Sequence, residues 1–170
     1  MMLNILRKLL LFIPLILILF SCSKTPDDNS MIDHFRVNKS DFEKLVKMIK
    51  QETQLRRLAL DFIDPDDYIL KKERLIEYRI ILKKIGIKSF YRSSQKDNID
   101  FTYNTQGISV SGQEKGYAYY KNKSLISKDF AIVENLDVYY KAKRKSGKFL
   151  TYSALRHIED EWYLFHDVDD

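Results

Sequence analysis

Hydrophobic residues change their spacing at Gly86, and that change limits the fold more than any other feature of the chain. Before it the spacing is helical. Ser40-Asp41-Phe42-Glu43 is a capping box, in which the Ser hydroxyl and the Glu carboxylate satisfy free amides at a helix start. Phe42, Leu45, Val46 and Ile49 then recur on one helical face, and Leu55, Leu58, Ala59 and Phe62 repeat the spacing on a shifted phase, so a bend is expected between Gln51 and Gln54. Asp64-Pro65-Asp66-Asp67 is a turn, because Pro65 pushes Asp64 out of the helical region. A second helix follows, with Leu75, Tyr78, Leu82 and Ile85 as its buried stripe, Ile76 and Ile80 widening it, and Gly86 as its cap.

After Lys88 the period is two. Ile99, Phe101 and Tyr103 alternate with Asp100, Thr102 and Asn104, while Gln106-Gly107 and Ser146-Gly147 stand where tight turns need a residue of positive φ. Strands are expected near residues 88–93, 98–104, 107–112, 115–121, 135–144, 148–158 and 161–167. The expected class is α+β, with two N-terminal helices packed on an antiparallel β-meander sheet.

The first residues are a different kind of segment. Arg7 and Lys8 precede an apolar run from Leu9 to Phe20, and the small Ser21 follows. At about 1.5 Å per residue that run spans roughly 18 Å as a helix, short of a bilayer core of about 30 Å, so it reads as a secretion signal and not as a membrane span. Leu19-Phe20-Ser21-Cys22 resembles the lipobox of bacterial lipoproteins, departing from it in the bulky Phe20. The resemblance implies a diacylglyceryl group on the Cys22 thiol and cleavage before Cys22. In a Gram-negative host, Ser23 after the cysteine implies passage to the outer membrane. The expected organisation is a signal peptide over 1–21, a lipidated Cys22 and polar tether over 22–37, and a single α+β domain over 38–170.

Loss of Arg7 and Lys8 with the leader lowers the net charge from +5 to +3, so the mature chain is only mildly basic. Cys22 is the only cysteine, and once it is lipidated the chain has no internal disulfide to draw on. Stability has to come from packing.

Candidate functional residues are few. Lys141, Lys143, Arg144, Lys145 and Lys148 surround the expected Ser146-Gly147 turn and are the candidate partner-binding set, suited to an acidic partner or to anionic head groups. Tyr117, Tyr119, Tyr120, Tyr139, Tyr140, Tyr152, Trp162, Tyr163 and Phe165 crowd the strand half. They are expected to fill the core and pair across strands, with Tyr139 and Tyr140 pointing to opposite faces. Ser93 and Ser94 lack the setting of a hydrolase nucleophile. His34, His157 and His166 lack metal-ligand spacing. The acidic end, from His166 to Asp170, reads as a frayed terminus.

No cofactor, metal or catalytic residue is assigned, and no nucleic-acid partner is expected. The expected role is a membrane-anchored protein that binds another macromolecule of the envelope, a protein, without catalysis. The alternatives are an immunity lipoprotein neutralising a delivered toxin and a small cell-envelope hydrolase.

The anchor has a direct test. Cys22→Ser should abolish incorporation of radiolabelled fatty acid and release the protein from the membrane fraction; a Ser variant that stays membrane-bound, beside a wild type that takes up no label, would contradict the lipobox.

Overall fold

Why the chain folds as it does is visible in a computed structural model that describes residues 25–66, 68–93, 98–108, 111–146 and 151–169. The signal segment, Cys22, Asp67, Ser94, Gly147, Lys148 and Asp170 lie outside these residues.

Helix α1 (Asp28–Gln51) is capped by Asp27, whose carboxylate accepts from the amides of Asn29 and Ser30. Those hydrogen bonds, with one from the Ser30 hydroxyl, hold the Asp27 carboxyl below its usual range. The capping box at Ser40 is therefore a correction. Ser40 is an exposed residue in mid-helix, and residues 28–37, expected in the tether, are helical. Met31 and Phe35 extend the stripe of Phe42, Leu45 and Ile49 backwards at helical spacing, and all five are fully buried.

The second apolar set is also redrawn. Leu55 to Phe62 does not continue a helix; Arg57–Ala59 (β1) and Ile63–Asp64 (β2) pair antiparallel as a short hairpin. Helix α2 (Lys72–Lys84) buries Tyr78, Ile81 and Leu82, with Ile85 buried just after it. Ile76 and Ile80, expected to widen its buried stripe, are 47% and 61% exposed. Gly86 ends the turn with a φ of 65°, where a Cβ would be strained.

Strands β3 (Ser89–Arg92), β4 (Asn98–Ile108) and β5 (Ser111–Tyr120) follow, so Gln106-Gly107 lies inside β4 and 107–112 is no strand of its own. Then come β6 (Phe130–Ile132), helix α3 (Leu136–Lys145), β7 (Thr151–Glu159) and β8 (Trp162–Asp169). The sheet order is β2-β1-β3-β4-β5-β8-β7-β6. Every pairing is antiparallel except β6 with β7. The chain is α+β with a mixed eight-stranded sheet, and not a simple meander: the segment after β5 carries β6 to the far edge and leaves β8 to pair with β5.

Residues 135–144 were expected as a strand, and the reason they are not is local. Asn135 accepts from the Val138 amide as a cap, Asp137 sits in the first turn, and Lys143, Arg144 and Lys145 occupy the last, each favourable to the helix dipole. Tyr139 and Tyr140 consequently share one side of α3. Their rings lie 5.3 Å from Tyr152 and 5.1 Å from His166.

Alternation sorts the strands into two faces. On one, Phe101, Tyr117 and Trp162 meet α1, with the Phe42 ring 5.7, 4.8 and 5.6 Å from theirs. On the other, Ala118, Tyr120, Leu155, Tyr163 and Phe165 form a smaller cluster joined by Ile126 and Phe130, and among the described residues no helix contributes to it.

One polar knot ties the helices to the sheet. Lys115 and Asp28 are both 1% exposed, and the Lys115 ammonium lies 2.7 Å from carboxylate oxygens of Asp28 and Asp137 and donates to the Pro26 carbonyl. The Asp28 amide donates to Asp137, the Leu136 amide donates to Asp28, and Arg156 pairs with Asp28 at 3.0 Å. Each acid thus serves the first turn of the other's helix.

Lys115→Met should cost about 3–5 kcal/mol in chemical denaturation, since it strands buried carboxylates, whereas an uncoupled ion pair would make it nearly neutral. In the same assay Asp27→Ala should lower the midpoint and Ser40→Ala should leave it unchanged or slightly raised.

Candidate functional site

Where the helix-free face crosses β5, Gly116 has no side chain to fill the space. A Cβ there would lie 2.1 Å from the Phe101 carbonyl oxygen and 2.7 Å from the Phe165 ring, so the strands close over this position and only glycine fits. Beside it opens a cleft of about 340 Å³.

Strand register brings the lining together from distant parts of the chain. Tyr91 pairs with Asp100, Ser89 with Thr102, Thr102 with Gly116, and Glu114 with Asp167, and alternation turns these polar side chains to the helix-free side. Arg57 on β1 is the one cation among the described lining residues.

The electrostatics are unbalanced. Burial, then the charges of Asp167 and Glu114, pushes the Asp100 carboxyl up to about 7. Burial also raises Asp167 to about 6, opposed by a hydrogen bond from Ser153 and assisted by Glu114. The buried Oδ1 of Asp167 accepts no hydrogen bond. A relay runs from the Ser89 hydroxyl to Thr102 at 3.2 Å, and Thr102 donates to the Glu114 carboxylate. Three carboxyl groups beside one arginine form a cleft suited to a cationic hydrogen-bond donor, such as a guanidinium or ammonium.

The basic candidates sit elsewhere. Lys141, Lys143, Arg144 and Lys145 are exposed on α3 and not on a hairpin tip. The Lys143 ammonium lies 5.3 Å from the Tyr139 ring, and Arg144 lies 6.0 Å from the Tyr140 ring and donates to its hydroxyl at 3.3 Å.

The histidines are dispersed. His34 bonds the Tyr117 hydroxyl at 2.8 Å in the core and is lowered by burial. His157 is exposed and bonds the Asp160 carbonyl. His166, 2% exposed between Tyr152 and Gln113, is pushed down to about 4 by burial and the Lys115 charge. No group of His, Cys, Asp and Glu suited to a metal occurs among the described residues.

The carboxyl cluster escaped sequence reading because its members lie on three strands. Asp167 falls both at the end of the expected 161–167 strand and in the acidic His166–Asp170 tail; strand β8 runs through it to Asp169. The available signal was alternation in β4 and β8, which puts Asp100 and Thr102 on the face opposite Phe101, and Asp167 on the face opposite Leu164.

The raised carboxyls fix a pH dependence. Between the unfolded value near 3.8 and the folded values of about 6 and 7, the folded chain holds more protons, so their contribution to stability is full below pH 4 and is lost as pH rises to 7. His166 acts oppositely, its contribution being lost as pH falls from about 6.5 to 4. Asp100→Asn should therefore stabilise the protein at pH 8 by on the order of 1 kcal/mol and leave it unchanged at pH 4, as read from denaturation midpoints at both values. Equal effects at the two pH values would mean that Asp100 is not raised.

No protein-family model, no curated protein and no solved structure matches the chain.

Proposed function

We propose that this is a lipid-anchored, non-catalytic binding protein of the cell envelope, held at the outer membrane in a Gram-negative host, whose helix-free sheet face takes up a basic side chain of a protein partner. The observation that carries the reading is the uncompensated acidic cleft, whose lining includes Asp167 with its buried Oδ1 unpaired. A cationic donor entering the cleft supplies the missing hydrogen bond and relieves the repulsion among Asp100, Glu114 and Asp167. Attachment at Cys22 rests on the resemblance of Leu19-Phe20-Ser21-Cys22 to a lipobox. An immunity protein is the case in which the partner is a delivered toxin.

A second reading, a small envelope hydrolase, is favoured by one observation. Asp100 near 7 and Asp167 near 6 are two carboxyls poised around neutrality in one cleft, as an acid and a base would be.

Capture from solubilised envelope separates the two. Deprotonation of the cleft between pH 5.5 and 8 should raise partner recovery with pH, and Asp100→Asn with Asp167→Asn should reduce recovery at pH 8 about tenfold while leaving the far-ultraviolet circular dichroism spectrum unchanged. Recovery insensitive to both changes overturns the binding reading. Cleavage of isolated cell-wall polymer, bell-shaped in pH and abolished by Asp100→Asn, would establish the hydrolase instead.

A further inference from the structure

We infer that helix α3 is a membrane-contact surface, its basic residues Lys141, Lys143, Arg144 and Lys145 resting on anionic phospholipid head groups beside the lipid anchor. The inference rests on lipidation of Cys22, which is part of the proposed function, and adds the orientation of the protein on its membrane.

Three observations converge on it. The first is reach. Pro26 is fastened to the fold by the Lys115 ammonium at 3.0 Å, and only four residue steps separate it from Cys22, so the modified cysteine lies within about 14 Å of that point even with the chain fully extended. A tether this short keeps the start of α1 close to the lipid.

The second is adjacency. The residues that receive the start of the chain belong to the first turn of α3: the Asp28 amide donates to Asp137 at 2.8 Å and the Leu136 amide donates to Asp28 at 2.7 Å. α3 begins at the anchor point and, at about 1.5 Å per residue, ends about 15 Å away. The basic end of the helix is therefore within roughly 30 Å of Cys22, close enough for α3 to lie along the bilayer surface.

The third is charge. Lys141, Lys143, Arg144 and Lys145 are all exposed, and among the described residues none of them is in an ion pair. Lys143 and Arg144 lie against the rings of Tyr139 and Tyr140, which leave their positive charge uncompensated. Clustered Lys and Arg beside a lipid anchor supply the second, electrostatic attachment that a polybasic segment gives to a lipidated protein.

The arrangement also agrees with the opposite side of the sheet. α3 packs on the face that carries Tyr152 and His166, whereas Asp100, Glu114 and Asp167 open on the other. Laying α3 on an anionic surface turns the acidic cleft away from it, towards a partner.

The experiment is a lysine footprint on the full lipidated protein. It is reconstituted into vesicles of phosphatidylcholine alone, or of equal phosphatidylcholine and phosphatidylglycerol, and treated with a water-soluble acetylating ester; modification is read residue by residue by mass spectrometry. In the anionic vesicles Lys141, Lys143 and Lys145 should react about fivefold more slowly than in the neutral ones, while Lys47 and Lys83, exposed on α1 and α2, keep their rates. Salt at about 0.5 M should erase the difference, since the screening length falls to a few ångströms. Equal rates in both vesicles, with the protein floating with them, overturn this inference alone. Protection that appears only when soluble envelope proteins are added also overturns it and gives α3 to an acidic protein. Failure to float with either vesicle removes the anchor, and the proposed attachment with it.

Discussion

A lysine with almost no exposure to water holds this structure together. Moving an ammonium and a carboxylate out of solvent costs several kcal/mol each, and Lys115 and Asp28 recover that cost only because every neighbour is placed to meet them. Lys115 comes from the middle of the sheet, Asp28 from the start of α1 and Asp137 from the start of α3, with Arg156 closing the set from β7. Elements more than a hundred residues apart in sequence are registered on one point. An apolar core of the same volume would hold them too, but would tolerate sliding; a charge that must meet two carboxylates and a carbonyl does not. The direction of α3, and so the side of the protein that its basic residues face, follows from that geometry.

The two faces of the sheet divide the work. The face towards α1 carries the large aromatic core, where Phe35, Phe42, Phe101, Tyr117 and Trp162 stack at centroid distances of 4.8 to 6.0 Å. It provides the burial. The other face has a modest apolar cluster and a polar cleft whose charges are poorly matched. Unfavourable electrostatics of that sort survive in a folded protein only where the remainder of the molecule is stable enough to carry them, and such places are where ligands gain most by binding.

How far these features can be read from the sequence depends on whether a residue's partners are near it in the chain. The α+β class, the Gly86 terminus and the alternation of Ile99, Phe101 and Tyr103 are local, and each is present in the structure. The start of α1 differs from expectation because Ser40-Asp41-Phe42-Glu43 matches a cap in composition, whereas Asp27, with Asn29 and Ser30 after it, sits in a polar stretch that resembles a tether. Residues 135–144 differ from expectation for a related reason: adjacent tyrosines have a strong strand preference, whereas the spacing of Leu136, Tyr139 and Tyr140, the cap at Asn135 and the charges at the two ends favour the helix. The cleft was not legible at all as a unit. Asp100, Glu114 and Asp167 meet through strand register, and register depends on the excursion that carries β6 and α3 past β8.

That excursion also decides what stands at the rim of the sheet. The interior strands run for up to 11 residues, yet the outermost are β2, with 2 residues, and β6, with 3. A neighbouring copy approaching edge-on would find at either rim a ladder too short to extend. Molecules confined to a surface meet one another far more often than molecules free in solution. If the protein is anchored as proposed, the stunted rims act as insulation, letting neighbours crowd without knitting their sheets together.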